Sequence, residues 1–184
     1  MNKDNDINKT LIEKINNLEE KYEGNFSNTQ KILLTTDGSI TAILDVLHGK
    51  ISLKTINQYF TEADKEISDL LNIQIGDTVI FREILMYKDK QPLIYAISYF
   101  PVKRLSEEFK SDLQKKDIPL GRILRKYSIE SRREVKNINI ENPTERLENI
   151  YKTNEEFLAR DYNIIKSNEI FIWVKELFPI SYFK

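Results

Sequence analysis

The chain has 184 residues, 40% of them hydrophobic and 10% aromatic, which suffices for one domain with a sizeable core. Its 28 Lys and Arg residues balance 29 Asp and Glu residues, so it lacks the basic surplus with which a general nucleic-acid or anionic-membrane binder collects phosphates. The absence of cysteine excludes disulfides, thiolate metal sites and cysteine nucleophiles, and a single histidine, His48, excludes multi-histidine metal sites. Chemistry must therefore rest mainly on carboxylates, Arg, Lys, Tyr and backbone groups. No run approaches the ~18 apolar residues of a membrane-spanning helix, and Met1 to Thr10 lacks the apolar centre of a signal peptide. The expectation is a soluble, cytoplasmic protein with no nucleic-acid partner and no membrane insertion. Five Gly and five Pro argue against low-complexity linkers.

In chain order, Leu11, Ile12, Ile15 and Leu18 fall at helical spacing, which predicts an amphipathic helix over Asp6 to Tyr22. Gly24 to Asn28 reads as a break, and Lys31 to Leu34 as a short apolar run before the turn Thr36-Asp37-Gly38. Ser39 is placed to cap a helix carrying Ile40, Ile43, Leu44 and Leu47, closed by Gly49. A strand over Ile51 to Thr61 and a short helix over Asp64 to Leu71 follow. Thr78 to Tyr87 and Pro92 to Pro101 are β-rich runs joined by a tight turn, a hairpin signature. Helices are expected over Ser106 to Lys115 and Leu120 to Tyr127, then a more polar strand over Ser131 to Ile140. Thr144 opens a capped helix to Tyr151, and Glu156 to Lys166 with Glu169 to Phe178 form a second hairpin around Ser167-Asn168. Strands joined by tight turns pair antiparallel. The chain is read as a single α+β domain over 1-184, with a curved antiparallel sheet, flanking helices and an N-terminal helical extension over 1-28.

Because side chains alternate across a strand, each face can be read separately. Ile80, Arg82, Ile84 and Met86 share one face, so Arg82 sits inside an apolar stripe. Ile170, Ile172, Val174, Glu176 and Phe178 share a face of the last strand, which places Glu176 similarly. Burying either charge alone costs several kcal/mol or more, so each needs a partner. Either the two pair with one another, or both line an apolar cavity whose partner is a ligand. In the second case Arg82 would clamp a carboxylate with parallel N–H donors, and Glu176 would handle a proton.

Other features read as structural. His48 ends a short helix, Lys103-Arg104 and Arg132-Arg133 look like solvated edges, and Tyr95 with Tyr99 look like core or cavity wall. Thr36-Asp37-Gly38-Ser39-Ile40 offers a glycine turn before a helix start but has no following lysine.

Five segments in order resemble the chorismate pyruvate-lyase family. They are Asp37-Gly38-Ser39-Ile40-Thr41, Phe81-Arg82-Glu83-Ile84-Leu85, Pro92-Leu93-Ile94-Tyr95-Ala96 closed by Pro101, Ile118-Pro119-Leu120-Gly121-Arg122, and Glu176-Leu177-Phe178-Pro179. The resemblance spans about residues 30 to 182. It implies a single domain with a six-stranded antiparallel sheet, distantly similar to the small-molecule-sensing domains of some bacterial transcription regulators. It also implies cofactor-free conversion of chorismate to 4-hydroxybenzoate and pyruvate. Carried over by position, Arg82 holds the ring carboxylate, the backbone N–H groups of Ile40 and Leu120 donate to that same carboxylate, and Glu176 faces the oxygen at the far end of the ring. Ile97 stands where some members carry an arginine, which leaves the enolpyruvyl carboxylate without a partner. Arg122 and Arg160 are the candidates, Arg160 sharing a strand face with Leu158, Tyr162 and Ile164.

Three readings follow: a chorismate lyase, a non-catalytic sensor or carrier of a small aromatic acid, or a structural domain in which Arg82 and Glu176 satisfy one another.

Overall fold

The computed structural model describes residues 3–115 and 117–184, with side chains from residue 10 onward. Helix α1 (Lys3–Tyr22) starts ahead of the predicted Asp6, and Met1 and Asn2 of the polar N-terminal segment lie outside the described residues. The apolar run Lys31 to Leu34 is part of a helix, α2 (Asn28–Thr35). Its start lies in the predicted break, where Ser27 Oγ accepts from the Gln30 N–H at 3.1 Å and Gln30 Oε1 accepts from the Ser27 N–H at 2.9 Å. That reciprocal cap satisfies two orphan donors and fixes the helix entry. Ser39 caps α3 (Ile40–His48), and Gly49 follows it with φ of 73°, a left-handed value that a side chain would resist. Asp64 caps α4 (Lys65–Leu71), Ser106 caps α5 (Glu107–Gln114), and Thr144 caps α7 (Glu145–Tyr151). Between the last two, α6 (Leu120–Lys126) opens behind Pro119 without a side-chain cap.

Six strands form one antiparallel sheet: β1 (Ser52–Glu62), β2 (Thr78–Lys88), β3 (Gln91–Pro101), β4 (Arg132–Glu141), β5 (Phe157–Lys166) and β6 (Glu169–Pro179). Their spatial order is β1-β2-β3-β6-β5-β4, so the two hairpins meet at β3 and β6, and β1 and β4 are the edges. The described residues form the expected single α+β domain with a six-stranded antiparallel sheet.

The registers align side chains into rows across the sheet. Arg82, Ser98, Val174, Tyr162 and Val135 form one row; Ile84, Ala96, Glu176, Arg160 and Ile138 form the next on the same face. This front face carries two separate apolar clusters. Ile15 and Leu18 of α1, Leu33 and Leu34 of α2 and Leu44 of α3 cover Ile84, Met86, Ile94 and Phe178. Phe109 and Leu113 of α5, with Ile123 and Leu124 of α6, cover Ile80, Phe100, Ile164 and Ile172. The N-terminal helix is thus built into the core. The back face is covered by α4 against Val79 and Trp173 and by α7 against Phe157, Ala159 and Leu177. Arg104, expected in a solvated run, instead ties α4 to β6 by donating to the carbonyls of Leu71 and Ile170. The front-face seam between the two helical groups is where polar side chains enter an otherwise apolar sheet.

Candidate functional site

A narrow cavity of about 40 Å³ occupies this seam. Its floor is the sheet, through Arg82, Ile84, Ser98, Tyr162, Val174 and Glu176, and its roof is the start of α3 with Ser39 and Ile40 and the start of α6 with Leu120 and Gly121. A methyl at Gly121 would meet Ser39 Oγ at 3.2 Å, so glycine lets the two helix starts close over the sheet. The cavity is smaller than the ~150 Å³ void that receives benzene in an engineered protein core, so an aromatic guest needs the seam to open.

Arg82 is 2% exposed. Its Nη2 donates to the Ile118 carbonyl at 3.0 Å and to Thr55 Oγ1 at 3.3 Å, while Nε is shut off from solvent and has no acceptor. Among the described residues no carboxylate lies within ion-pair distance of it. Burial pulls this guanidinium down from its ordinary value to about 10, against an opposing pull from Asp117. Asp117 itself accepts from the Thr55 N–H at 2.6 Å. Arg82 is thus a buried cation whose counter-charge the described residues do not supply at contact range.

Glu176, 4% exposed, lies in the neighbouring row two strands away, roughly 10 Å across the sheet. The alternative in which Arg82 and Glu176 neutralise each other is not what the structure shows. Instead Arg160 Nε donates to Glu176 Oε2 at 2.8 Å and the Tyr162 hydroxyl donates to Oε1 at 3.2 Å. The apolar wall expected beside Glu176 is therefore an ion pair and a hydrogen bond. Burial first, and then the charge of Glu176, push the Tyr162 hydroxyl up, which keeps it a donor. The Arg160 guanidinium lies 4.8 Å from the Tyr162 ring centre, and its Nη1 donates to the Thr36 carbonyl at 2.8 Å. Arg160 thus joins the acid to the loop that precedes α3.

Of the six site residues read from sequence, Arg82, Ile40, Leu120 and Glu176 meet at one cavity, and Arg160 stands behind Glu176. Arg122 is not brought in: it is 47% exposed and reaches Asp45 at 4.0 Å. The polar lining residues Tyr162, Ser98 and Arg133 were not among the site residues read from sequence. Ser98 sits beside Arg82 in register, and its hydroxyl lies 3.5 Å from the Arg82 carbonyl. Arg133 was expected at a solvated edge, and only its neighbour Arg132 fits that description, paired with Glu134. Arg133 lines the cavity, and the signal that could have found it is its shared strand face with the half-buried Val135. Tyr95 and Tyr99 belong to the back face, where Tyr95 donates to Glu83 at 2.5 Å and Tyr99 stacks on Trp173. No group of three or more metal-ligating side chains occurs among the described residues, and no described helix is long and apolar enough to cross a membrane.

The family described as Chorismate pyruvate-lyase Rv2949c-like matches residues 34–184. A protein of Methanocaldococcus jannaschii named "Putative lyase MJ0807" is 38% identical over 160 residues, 83% of this chain and 79% of the relative. Among solved structures, the effector domain of PhnF from Mycobacterium smegmatis superposes with a TM-score of 0.67 at 14% identity, covering 79% of this chain and 91% of that one. A transcriptional regulator of the GntR family from Bacillus cereus gives 0.60 at 17% identity, covering 73% and 94%. The two structures share the fold. The family match and the sequence relative make this chain a member of the chorismate pyruvate-lyase family.

Proposed function

We propose that this family member is a chorismate lyase, eliminating pyruvate from chorismate to leave 4-hydroxybenzoate. The observation that carries the reading is Arg82, a buried guanidinium on a cavity wall with no carboxylate at contact range and a vacant Nε. A ligand carboxylate supplies the missing charge and accepts a charge-assisted hydrogen bond from the vacant Nε–H. The backbone N–H groups of Ile40 and Leu120, at the starts of α3 and α6, face the same carboxylate as the resemblance implies.

In the reaction the ether bond from the ring to the enolpyruvyl group breaks, the proton leaves the ring carbon that bears the hydroxyl, and the ring becomes aromatic. The released enolpyruvate takes up a proton and becomes pyruvate. Aromatisation supplies much of the driving force, so the protein has to orient the ring, exclude water and manage one proton. Arg82 fixes the ring carboxylate. Glu176, at the other pole, bonds the ring hydroxyl and assists proton movement, with Arg160 and Tyr162 holding its orientation.

The test is incubation of the purified protein with chorismate, following 4-hydroxybenzoate by absorbance and pyruvate by a coupled assay. Equal amounts of both products support the reading. Thermal stabilisation by 4-hydroxybenzoate without turnover replaces it with the sensor reading. Glu176→Ala is a poor probe, because it strands Arg160 as an unpaired buried cation. Glu176→Gln keeps an acceptor for Arg160 and is expected to lower kcat at least about a hundredfold. A near-native kcat in that variant removes Glu176 from the chemistry.

A further inference from the structure

Chorismate carries two carboxylates, and Arg82 accounts for one. The sequence offers Arg160 and Arg122 for the other. Arg160 is committed to Glu176 and the Thr36 carbonyl, and Arg122 lies outside the cavity beside Asp45. A third arginine meets the requirement. Arg133 lies near the start of β4 and lines both the inner cavity and an outer depression of about 400 Å³ that adjoins it past Ser39 and Gly121. Its Nε is enclosed and has no acceptor, while Nη1 donates to the Asp37 carbonyl at 3.1 Å.

The charge pattern points the same way. Arg82 and Arg133 line the cavity together with one carboxylate, Glu176, whose two oxygens already accept from Arg160 and Tyr162. Among the described residues two guanidiniums therefore remain uncompensated at contact range, the buried Arg82 and the half-buried Arg133, and burial makes Arg82 attract an anion far more strongly than it would in water. A monocarboxylate satisfies one of them; a dicarboxylate satisfies both. The backbones of Arg82 and Arg133 stand four strands apart, roughly 19 Å, so one ring-sized guest has to lie between the two side chains.

We propose that Arg133 is the subsite for a second carboxylate, which makes the cavity selective for ring-sized dicarboxylates over monocarboxylates. The inference rests on the reading that Arg82 takes the first carboxylate. Arg125 and Glu130 are the other charged residues lining the outer depression.

Arg133→Met and Arg133→Lys test this in the full-length chain. Loss of one charge-assisted contact is expected to raise the KM for chorismate at least about tenfold in Arg133→Met. Inhibition by 4-hydroxybenzoate, which has a single carboxylate, stays within about twofold, and Arg133→Lys recovers part of the loss. Equal weakening toward both ligands, or no change toward either, overturns the subsite. A second arm separates its failure from failure of the lyase reading. Thermal-shift titration of wild type and Arg133→Met compares benzoate with 3-(1-carboxyvinyloxy)benzoate, an aromatic dicarboxylate that cannot aromatise further. A wild-type preference for the dicarboxylate that vanishes in the Met variant supports the subsite whether or not chorismate is turned over. A wild type with no such preference overturns it even if turnover stands.

Discussion

Arg82 and Glu83 are neighbours in the chain, equally buried at 2% exposure, and point to opposite faces of β2. Glu83 is fully met by the protein: Tyr95 donates at 2.5 Å, Asn57 at 2.6 Å and Arg146 at 2.7 Å. Arg82 has a carbonyl and a hydroxyl on one nitrogen and nothing on Nε. Depth and strand are the same, so the difference lies in what each side chain is left to bind. A buried charge serving the fold is closed off by its surroundings, whereas one serving a ligand keeps valence open at the cost of stability.

The comparison breaks most visibly at Arg82. Arg82→Met is expected to lower kcat/KM for chorismate by about a thousandfold or more, with a Tm equal to or above that of wild type, because the cation removed is uncompensated. A large fall in Tm would show that Arg82 is structural after all. Glu83→Gln should do the reverse. It weakens three contacts on the back face and is expected to cost about 1–3 kcal/mol of stability, read as a lower Tm or denaturant midpoint, with kcat and KM near wild type.

The smallest effect concerns the roof. Asp112 of α5 is held below the usual carboxylate range by Lys115 first, then by Lys126 and Tyr127, so it clasps α6 from outside the seam. A carboxylate lowered by folding contributes stability above its ordinary value of 3.8, and that contribution is lost as pH falls below it. Asp112→Asn should therefore flatten the acid limb of the Tm-versus-pH curve and leave neutral activity nearly unchanged. An unaltered acid limb would mean that the clasp adds nothing to the fold.

Nearly all of the fold was legible because its signals are local. β-rich runs joined by tight turns marked the two hairpins, and Ser39 and Thr144 announced helix starts with side chains that cap them. The start of α2 was hidden because its capping pair, Ser27 and Gln30, sits in a stretch that reads as a break. The site was legible in its two poles and obscure in its pairing. Counting back from the tight turn at Ser167-Asn168, Arg160 falls opposite Lys175, on the wrong face. An irregularity between Ile164 and Ile165 moves the register by one residue and brings Arg160 opposite Glu176. A one-residue slip exchanges the faces of a strand, and nothing in the local sequence declares it. Arg133 was obscured by its exposed neighbour Arg132, since two adjacent arginines read as a single charged patch although a strand sends them to opposite sides.

Where α6 meets the cap of α3, Gly121 presents only a hydrogen to Ser39. A methyl there would press on Ser39 Oγ at 3.2 Å, a push on the roof of the cavity and not on the sheet that carries Arg82 and Glu176. Divergence toward bulkier guests therefore has a route through the roof that leaves the recognition chemistry in place.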